Sequence, residues 1–307
     1  MTRFPSSPHL VAALMASLAP ACDSPVEPPS TDVALTSGQE PAWSPDGTRI
    51  AFAYFSAPLV GQVFVMDADG SGVEWVTNIS YGTVWDPAWS PDGTRIAFSS
   101  NHSDGNLGNP DGYSEIYVMD ADGSDVERLT NHDEGSSSPA WSPDGTRIAF
   151  SSYRDGYSEI YVMDADGSNV QRLTNHEWGS YSPAWSPDGT RIAFSYELDS
   201  PYHEIYVMDA EGSNVERLTD FSGRYPAWSP DGTRIAFAST HYGNSEIHVM
   251  NADGSGVERV TNHSGSDIDD RSPAWSPDGT RIAFERNTHG IPPHDSEIYE
   301  IYVIQIK

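Results

Sequence analysis

Three segments of the chain place a histidine beside acidic residues, a combination that binds divalent cations in many proteins. Each segment begins with Asn-His, and the histidines are His132, His176 and His263. If they converged near one opening, these side chains could hold a metal ion. The alternative is that Asn-His belongs to a repeated structural unit and that each imidazole hydrogen-bonds its own loop. Because the pair recurs, we favour this alternative and expect no cofactor, with a divalent cation as the competing hypothesis.

A second group of side chains could bind a partner by burying large aromatic rings against it. Trp85 and Trp178 lie outside the positions at which tryptophan repeats in this sequence. Large aromatic side chains dominate the binding energy of many interfaces. The predicted partner-binding face consists of six aromatic residues: Tyr81, Trp85, Trp178, Tyr181, Phe221 and Tyr225. Packing within long loops is the alternative interpretation of the same residues.

The sequence gives little support for catalysis. It contains no G-x-S-x-G nucleophile elbow and no glycine-rich phosphate loop followed by a helix, and Cys22 is its single cysteine. Carboxylates are too numerous to single out a catalytic pair. A lyase acting on acidic polysaccharides would need metal-binding histidines and basic groups, and the candidate arginines are few: Arg154, Arg224, Arg271 and Arg286. We predict that the protein is not an enzyme, with a metal-dependent polysaccharide lyase as the alternative.

The elements that must position these residues are encoded by a repeat. The twelve residues PAWSPDGTRIAF occur six times without change, beginning at Pro41, Pro87, Pro139, Pro183, Pro226 and Pro273. Spacings of 46, 52, 44, 43 and 47 residues, with two turn signals in each unit, are typical of a β-propeller with similar blades. A segment that is identical in every unit cannot define one binding site, so specificity must lie where the copies differ.

Each unit has the pattern of a four-stranded antiparallel blade. In the third unit, Pro-Ala-Trp leads into a Ser-Pro-Asp-Gly turn, and strands follow from Thr146 to Ser151 and from Glu159 to Met163. A second hairpin, D-A-D-G-S, precedes a fourth strand at residues 170–174. That hairpin begins like a calcium-binding EF-hand loop but lacks the third acidic ligand and the glutamate at the twelfth position. We therefore predict a turn there rather than a metal site.

Two side chains of the repeated motif are predicted to act between blades. The tryptophan of each P-A-W should pack between neighbouring blades, because a large aromatic ring buries about 150–250 Å². A ring of tryptophans that stack on a ligand is the alternative. The arginine of each T-R-I-A-F is expected to pair with turn aspartates of its own or an adjacent blade.

The sixth unit lacks its fourth strand, and the missing strand lies at the other end of the chain. Residues 32–36, Asp-Val-Ala-Leu-Thr, precede the first Pro-Ala-Trp, where the other units have V-x-R-L-T or V-x-R-V-T. We predict an all-β fold, a six-bladed β-propeller of four-stranded antiparallel blades. The N-terminal strand should complete the last blade and thereby remove exposed sheet edges.

The repeats resemble those of the TolB-like, WD-repeat-like six-bladed β-propeller family of bacterial envelope proteins. The resemblance rests on the W-S-P-D-G-T-R-I-A-F run, the E-I-Y-V-M-D-A-D-G-S run and the L-T ending, and it covers nearly everything after residue 31. It implies the fold but several functions, since related propellers dock proteins, accompany serine peptidases or act as polysaccharide lyases.

The N-terminus has the pattern of an export signal. Arg3 precedes a short apolar run from Leu10 to Leu18, which is too short to span a bilayer as a helix. Cys22 stands where a lipoprotein signal places its acylated residue, although ordinary cleavage before it is the alternative. We predict a signal peptide at residues 1–21, a lipidated Cys22 with a Pro-rich tether at 22–31, and the propeller at 32–307. The expected location is the bacterial cell envelope, periplasmic or surface-exposed, with a lipid anchor.

The charge narrows the choice of partner. The chain has 16 basic and 45 acidic residues and a formal net charge of −29, which repels phosphate backbones and argues against nucleic acid binding. We predict a non-enzymatic envelope binding platform, a monomeric propeller that docks a protein or glycan on its variable loops. Membrane contact would occur only through the lipid anchor. A structural or adhesion component of the cell surface is a further alternative.

Overall fold

The computed structural model describes residues 32–57, 60–77, 82–101, 112–199, 202–263, 268–288 and 298–306. Within these ranges all regular secondary structure is β, and the strands form six four-stranded sheets in which neighbouring strands are antiparallel. The protein is a six-bladed β-propeller, which confirms the predicted fold class.

The strands follow the repeat along the chain. Blades 1 to 3 contain β2 (Gln39–Trp43), β3 (Arg49–Ala57), β4 (Val60–Asp67), β5 (Glu74–Trp75), β6 (Val84–Trp89), β7 (Arg95–Ser100), β8 (Glu115–Asp120), β9 (Glu127–Arg128), β10 (Ser136–Trp141), β11 (Arg147–Ser152), β12 (Glu159–Asp164) and β13 (Gln171–Arg172). Blades 4 and 5 contain β14 (Ser180–Trp185), β15 (Arg191–Asp199), β16 (Tyr202–Asp209), β17 (Glu216–Arg217), β18 (Arg224–Trp228), β19 (Arg234–Ser239), β20 (Glu246–Asn251) and β21 (Glu258–Arg259). Blade 6 contains β22 (Ile268–Trp275), β23 (Arg281–Thr288), β24 (Ile298–Gln305) and β1 (Val33–Ser37).

The last blade is built from both ends of the described chain. Strand β1 pairs antiparallel with β24, with Val33 opposite Val303 and Ser37 opposite Glu300. Its outermost strand therefore comes from the start of the propeller sequence, and the hydrogen bonds of this sheet join the first and last strands. Such closure resists opening of the ring.

The fourth strand of each complete blade is shorter than predicted. In blade 3, only Gln171–Arg172 forms regular pairing, whereas the sequence predicted a strand over 170–174. The backbone N–H groups of Leu173 and Thr174 both approach the carbonyl of Ile160, at 2.8 and 3.4 Å. The hydroxyl of Thr174 instead accepts the N–H of Ile160 at 2.8 Å. The Thr174 side chain thus replaces a backbone hydrogen bond of the sheet. Regular strand pairing ends there, and the chain continues to the next blade.

Apolar clusters fill the spaces between neighbouring blades. The second and third strands supply fully buried isoleucine, alanine, phenylalanine and methionine side chains. Trp141 of blade 3, for example, packs with Ala97 and Ile116 of blade 2. The six repeated tryptophans are only 7–8% exposed, so their position fits packing between blades.

The repeated arginines stack on these tryptophans, and Arg147 also pairs with Glu211, an acidic hairpin residue of the adjacent blade, at 3.1 Å. Each guanidinium carbon lies over the tryptophan of the following blade: Arg49 over Trp89 at 4.7 Å, Arg95 over Trp141 at 4.7 Å, Arg147 over Trp185 at 4.8 Å, Arg191 over Trp228 at 4.7 Å, Arg234 over Trp275 at 4.7 Å and Arg281 over Trp43 at 4.5 Å. The tryptophan face attracts the cation, and the last of these contacts joins blade 6 to blade 1. The six contacts therefore form a closed ring.

The turn aspartates instead bond within their own hairpins. In blade 3, Asp144 Oδ1 accepts the Ser142 hydroxyl at 2.6 Å, the Thr146 N–H at 3.0 Å and the Thr146 hydroxyl at 2.8 Å. These bonds, led by that from Ser142, lower the pKa of Asp144 to about 2. In the second hairpin, Asp166 Oδ1 accepts both the N–H and the hydroxyl of Ser168. We call the end of the propeller that carries these hairpins the constant face.

Candidate functional site

The opposite end of the propeller, which we call the variable face, carries the loops that differ between blades. These loops join the second strand to the third within a blade and join one blade to the next. The two kinds of loop contact each other between blades 3 and 4, where the N–H of Ser180 donates to the carbonyl of Ser158 at 2.7 Å. Trp178 and Phe221 lie in blade-joining loops, as predicted. Trp85, Tyr181 and Tyr225 lie in the innermost strands β6, β14 and β18, whereas Tyr81 and Cys22 fall outside the described residues.

A ring of strained residues surrounds the central channel. Each inner strand has a residue with a left-handed backbone immediately before its repeated proline, with φ between 50 and 55°: Glu40, Asp86, Ser138, Ser182, Tyr225 and Ser272. These residues and their prolines line a central cavity of about 150 Å³. The left-handed region is disfavoured for residues other than glycine. The pairing of each inner strand shifts register at this point, which turns the N–H of the strained residue toward the preceding blade.

Hydrogen bonds across the blades hold this ring. Ser182 N–H donates to the hydroxyl of Ser151, and Tyr225 N–H donates to that of Ser195, both at 3.1 Å. Blade 1 has Ala53 at the position of these serines, so it offers no hydroxyl. The side chain of Glu40 takes over this role, because its Oε2 accepts the N–H of Asp86 at 2.6 Å.

On one side of the ring, carboxylates replace the hydroxyl or, at Ser138, accept beside the Ser99 hydroxyl. Glu285 Oε2 accepts the N–H of Glu40 at 3.1 Å, and Asp86 Oδ2 accepts the N–H of Ser138 at 3.0 Å. Burial raises the pKa of Glu285 to about 7. Burial, and then repulsion from Asp86 and Glu285, raises the pKa of Glu40 well above its usual range. Burial also raises the pKa of Asp86. We call Glu40, Asp86 and Glu285 the channel carboxylates.

The predicted site did not include the channel carboxylates, although the sequence contains a signal for them. Glu40 and Asp86 precede the repeated proline where blades 3, 4 and 6 have serine, and Glu285 follows I-A-F where blades 2, 3 and 4 have serine. A position-by-position comparison of the copies would have singled them out. Their proximity could not be read in this way, since Glu40 and Glu285 are 245 positions apart.

Aromatic side chains form an exposed patch on the variable face of blades 3 and 4. Trp178 is 41% exposed and its ring centroid lies 6.5 Å from that of Tyr157, which is 58% exposed. Tyr153, in the same loop as Tyr157 and 42% exposed, lies 6.3 Å from Tyr181. His203 completes the group at 5.5 Å from Tyr181. We call these five residues the aromatic patch.

The polar atoms of the aromatic patch have defined charge states. The Tyr181 hydroxyl donates to Glu197 Oε2 at 3.1 Å, and burial raises the pKa of Tyr181. Burial, and then the neighbouring Arg224 guanidinium, lowers the pKa of His203 to about 4. At neutral pH the imidazole and the phenol are therefore uncharged. The patch presents ring faces with few formal charges, which suits contact with another surface.

The five predicted partner-binding residues that the structure describes do not form a single patch. Trp178 and Tyr181 belong to the aromatic patch, together with Tyr153 and Tyr157, which the sequence analysis missed. Phe221 packs instead on Phe237 at 6.1 Å and on His241 at 4.7 Å. Tyr225 belongs to the ring around the channel, and Trp85 is half-buried beside it.

The Asn-His segments contact buried glutamates through their backbone. The N–H of His132 donates to Glu115 Oε1 at 2.5 Å. The N–H groups of His176 and His263 donate in the same way to Glu159 and Glu246, each at 2.7 Å. The backbone of the repeated segment thus satisfies the carboxylates at the start of the third strands. The imidazole side chains take no part in this contact, so their surroundings can differ between blades.

The imidazoles lie in different surroundings. His176 Nδ1 lies 3.0 Å from the Ser180 hydroxyl, and its ring lies 4.5 Å from that of Tyr196. His263 Nε2 lies 2.9 Å from Asp270 Oδ2, and this bond raises the pKa of His263. Among the described residues, one group has the composition of a metal site, namely Glu246, His263 and Asp270, whose ligand atoms lie within 4.8 Å of one another.

Arg286 fills the position that a metal ion would need in that group. Its Nη2 lies 2.6 Å from His263 Nε2 and 3.0 Å from Asp270 Oδ2, and its Nε donates to Asp270 Oδ1 at 2.7 Å. The same guanidinium pairs with Asp32 at 2.5 Å. Because the Arg286 guanidinium occupies the space beside His263 and pairs with Asp270, while Glu246 already accepts the Thr261 hydroxyl and the His263 N–H, the residues do not fit a metal ion while Arg286 is in place. The group connects blade 5, blade 6 and the first described residue.

The chain belongs to the TolB beta propeller domain family. The family model PD40 matches residues 33–182 and 162–304. A protein assigned as TolB in Agrobacterium tumefaciens is similar over 89% of this chain and 91% of its own, with a TM-score of 0.67 and 26% identity. TolB from Acinetobacter baumannii is similar over 80% of this chain and 57% of its own, with a TM-score of 0.63 and 26% identity. This membership associates the chain with the bacterial envelope.

Other similarities are more limited. An uncharacterised protein of Agrobacterium fabrum is 33% identical over 118 residues, which are 37% of this chain and 39% of that relative. The chain thus spans less than half the length of the curated relative it matches. An oligogalacturonate lyase of Vibrio parahaemolyticus has the same fold, with a TM-score of 0.56, 12% identity, and coverage of 89% of this chain and 91% of its own. At that identity the similarity shows the fold alone.

Among the described residues, no helix combines the length and the apolar character needed to cross a bilayer.

Proposed function

We propose that the protein is a non-enzymatic envelope platform that docks a protein partner on its variable face, with the aromatic patch as the anchor. The exposure of Tyr157 and Trp178 on adjoining loops carries the proposal. Exposed aromatic clusters on soluble domains commonly mark interaction surfaces, and buried aromatic anchors dominate interface energies. The repeated tryptophans, in contrast, are buried between blades and are unavailable for binding.

The reactive side chains are already hydrogen-bonded within the protein, and this supports a role in binding over a role in catalysis. The channel carboxylates accept backbone N–H groups of neighbouring blades, and His263 bonds Asp270 and Arg286. The metal-dependent polysaccharide lyase and the structural surface component remain the competing functions. Incubation with uronic acid polymers distinguishes the lyase, because lyase cleavage produces unsaturated products that absorb ultraviolet light.

A glycan is the competing partner for this face. Capture with the full-length protein from an envelope fraction, followed by binding measurements with the purified partner, tests the proposal. Trp178→Ala combined with Tyr157→Ala should weaken the affinity by about tenfold or more, the effect expected of central anchors. Val215→Ala, at an exposed valine of a blade 4 hairpin on the constant face, is the matched control. An unchanged affinity of the double variant, or capture of glycan alone, would contradict the proposal.

Export and lipid anchoring form a separate part of the proposal. Residues 1–21 would act as the signal peptide, Cys22 would carry the lipid, and residues 22–31 would form the tether. Mass spectrometry of the protein from its native membrane should show an acylated N-terminal cysteine. Cys22→Ser should release the protein into the soluble fraction, and an unmodified Cys22 would rule out the anchor.

A further inference from the structure

A groove on the constant face lies between blades 1 and 2. Its volume is about 410 Å³, which lies within the range of small-molecule sites. Five side chains with polar groups line it, namely Arg49, Asp67, Glu74, Trp75 and Asp122, and Val65, Met66, Val76 and Ala121 supply apolar surface. The groove belongs to the face on which the copies are otherwise most alike.

Blade 1 departs from the repeat beside the groove. In blades 2 and 3, a buried glutamate pairs with an arginine of the fourth strand, as Glu115 does with Arg128 at 2.9 Å. Blade 1 has Gln62 and Trp75 at these positions, and the indole Nε1 donates to the Gln62 side-chain oxygen at 3.3 Å. The two changes match each other, because an uncharged partner replaces each member of the ion pair.

Val76 lines the groove beside the indole. It stands where blades 2, 3 and 4 have leucine and blade 5 has valine, and its backbone carbonyl lies against Gly123 of blade 2. Trp75 is 59% exposed, in contrast to the buried tryptophans of the ring.

We propose that this groove binds an uncharged sugar residue, with Trp75 as the stacking surface. An exposed indole beside a groove offers an apolar face for the C–H groups of a sugar ring. Asp67 and Asp122 offer acceptors for hydroxyl groups, and Arg49 offers donors. Hydroxyl groups can use both kinds of partner, whereas an ammonium group could use only the carboxylates and not the Arg49 donors. Three carboxylates against one guanidinium disfavour an anionic ligand.

The position of Arg49 adds to this argument. Its guanidinium carbon lies 4.7 Å from the ring centroid of Trp89, so the stack on the neighbouring blade fixes the group at the groove. A donor held in this way loses little conformational freedom when a ligand binds. The site lies on the face opposite the aromatic patch and does not depend on the proposed docking function.

Titration of the full-length protein with cellobiose, N,N′-diacetylchitobiose or maltose, followed by tryptophan fluorescence and calorimetry, tests the inference. At least one disaccharide should bind saturably. Trp75→Ala should weaken binding by about tenfold or more. The double change Gln62→Glu with Trp75→Arg rebuilds the pair found in blades 2 and 3, so it should fold normally and lose binding to the same extent.

The control is Val170→Ala, at an exposed valine beside the corresponding hairpin of blade 3, which should leave sugar binding unchanged. Three results would overturn the inference: no disaccharide binds, binding persists in the rebuilt variant, or a lysine-containing peptide binds while the sugars do not. Each result can be told apart from failure of the docking proposal, because that proposal is tested with variants of the opposite face.

Discussion

The constant and variable faces of this propeller use the same six blades in opposite ways. On the constant face, every repeated turn aspartate bonds its own hairpin, and every repeated arginine stacks on the next tryptophan. Toward the variable face, equivalent positions carry serine, glutamate, tyrosine or arginine in different blades. The comparison teaches that the repeated residues specify the scaffold. Substitutions in single blades create the side-chain groups that could bind or titrate. The groove beside Trp75 shows that one such substitution can also occur on the constant face.

Breaking the constant ring should have the largest effect. Trp228→Ala removes a buried ring that packs with Ile205 and Phe237 and should lower the free energy of unfolding by about 3–5 kcal/mol. Arg191→Gln keeps that packing and loses only the stack on Trp228, so it should cost about 0.5–2 kcal/mol. Urea unfolding of both variants measures the difference, and equal losses would show that packing does not dominate the ring.

Removal of Arg286 should come next, because it leaves buried carboxylates without their cation. Arg286→Met should lower the free energy of unfolding by about 3 kcal/mol. It should also expose the ligands Glu246, His263 and Asp270 to a metal. Zinc should therefore raise the melting temperature of the variant and leave that of the wild type unchanged. A zinc-dependent rise in the wild type would show that Arg286 does not fill the site.

Changes in the channel carboxylates should have a smaller effect on the free energy of unfolding, and this effect should depend on pH. The pKa of Glu285 is raised to about 7 by burial, so between about pH 4.5 and 7 the folded state keeps a proton that the unfolded state has released. Stability from this group is therefore present at low pH and is lost as the pH rises through 7. Glu285→Gln should be more stable than the wild type at pH 8, by about 1–3 kcal/mol. The two proteins should converge near pH 4, and equal stability at pH 8 would contradict the raised pKa.

Changes in the aromatic patch should have the smallest effect on stability. Trp178→Ala combined with Tyr157→Ala should change the free energy of unfolding by no more than about 0.5 kcal/mol, because both side chains lie at the surface, Trp178 41% and Tyr157 58% exposed. Urea unfolding beside the binding assay separates loss of docking from loss of folding. A large destabilisation would indicate that the rings serve packing of the loops, the alternative interpretation from the sequence.

Much of the fold could be predicted because the repeat carries it. The Ser-Pro-Asp-Gly turn and the D-A-D-G-S hairpin are local, and their hydrogen bonds span two to five residues. The predicted length of the fourth strand was wrong, because the Thr174 hydroxyl competes with the backbone for the N–H of Ile160. The stacking of the repeated arginines was not predicted, since the tryptophan that each contacts lies on the following blade.

The sequence by itself determined the number of blades, the turns and the positions at which copies differ, because these depend on short-range patterns repeated along the chain. Only the tertiary structure decided which differing positions meet. It placed Glu285 beside Glu40 and Arg286 among His263 and its acidic neighbours, and it opened a groove beside Trp75. The physical reason is that closing the ring brings distant blades together, and contacts across such distances leave no periodic pattern in one sequence.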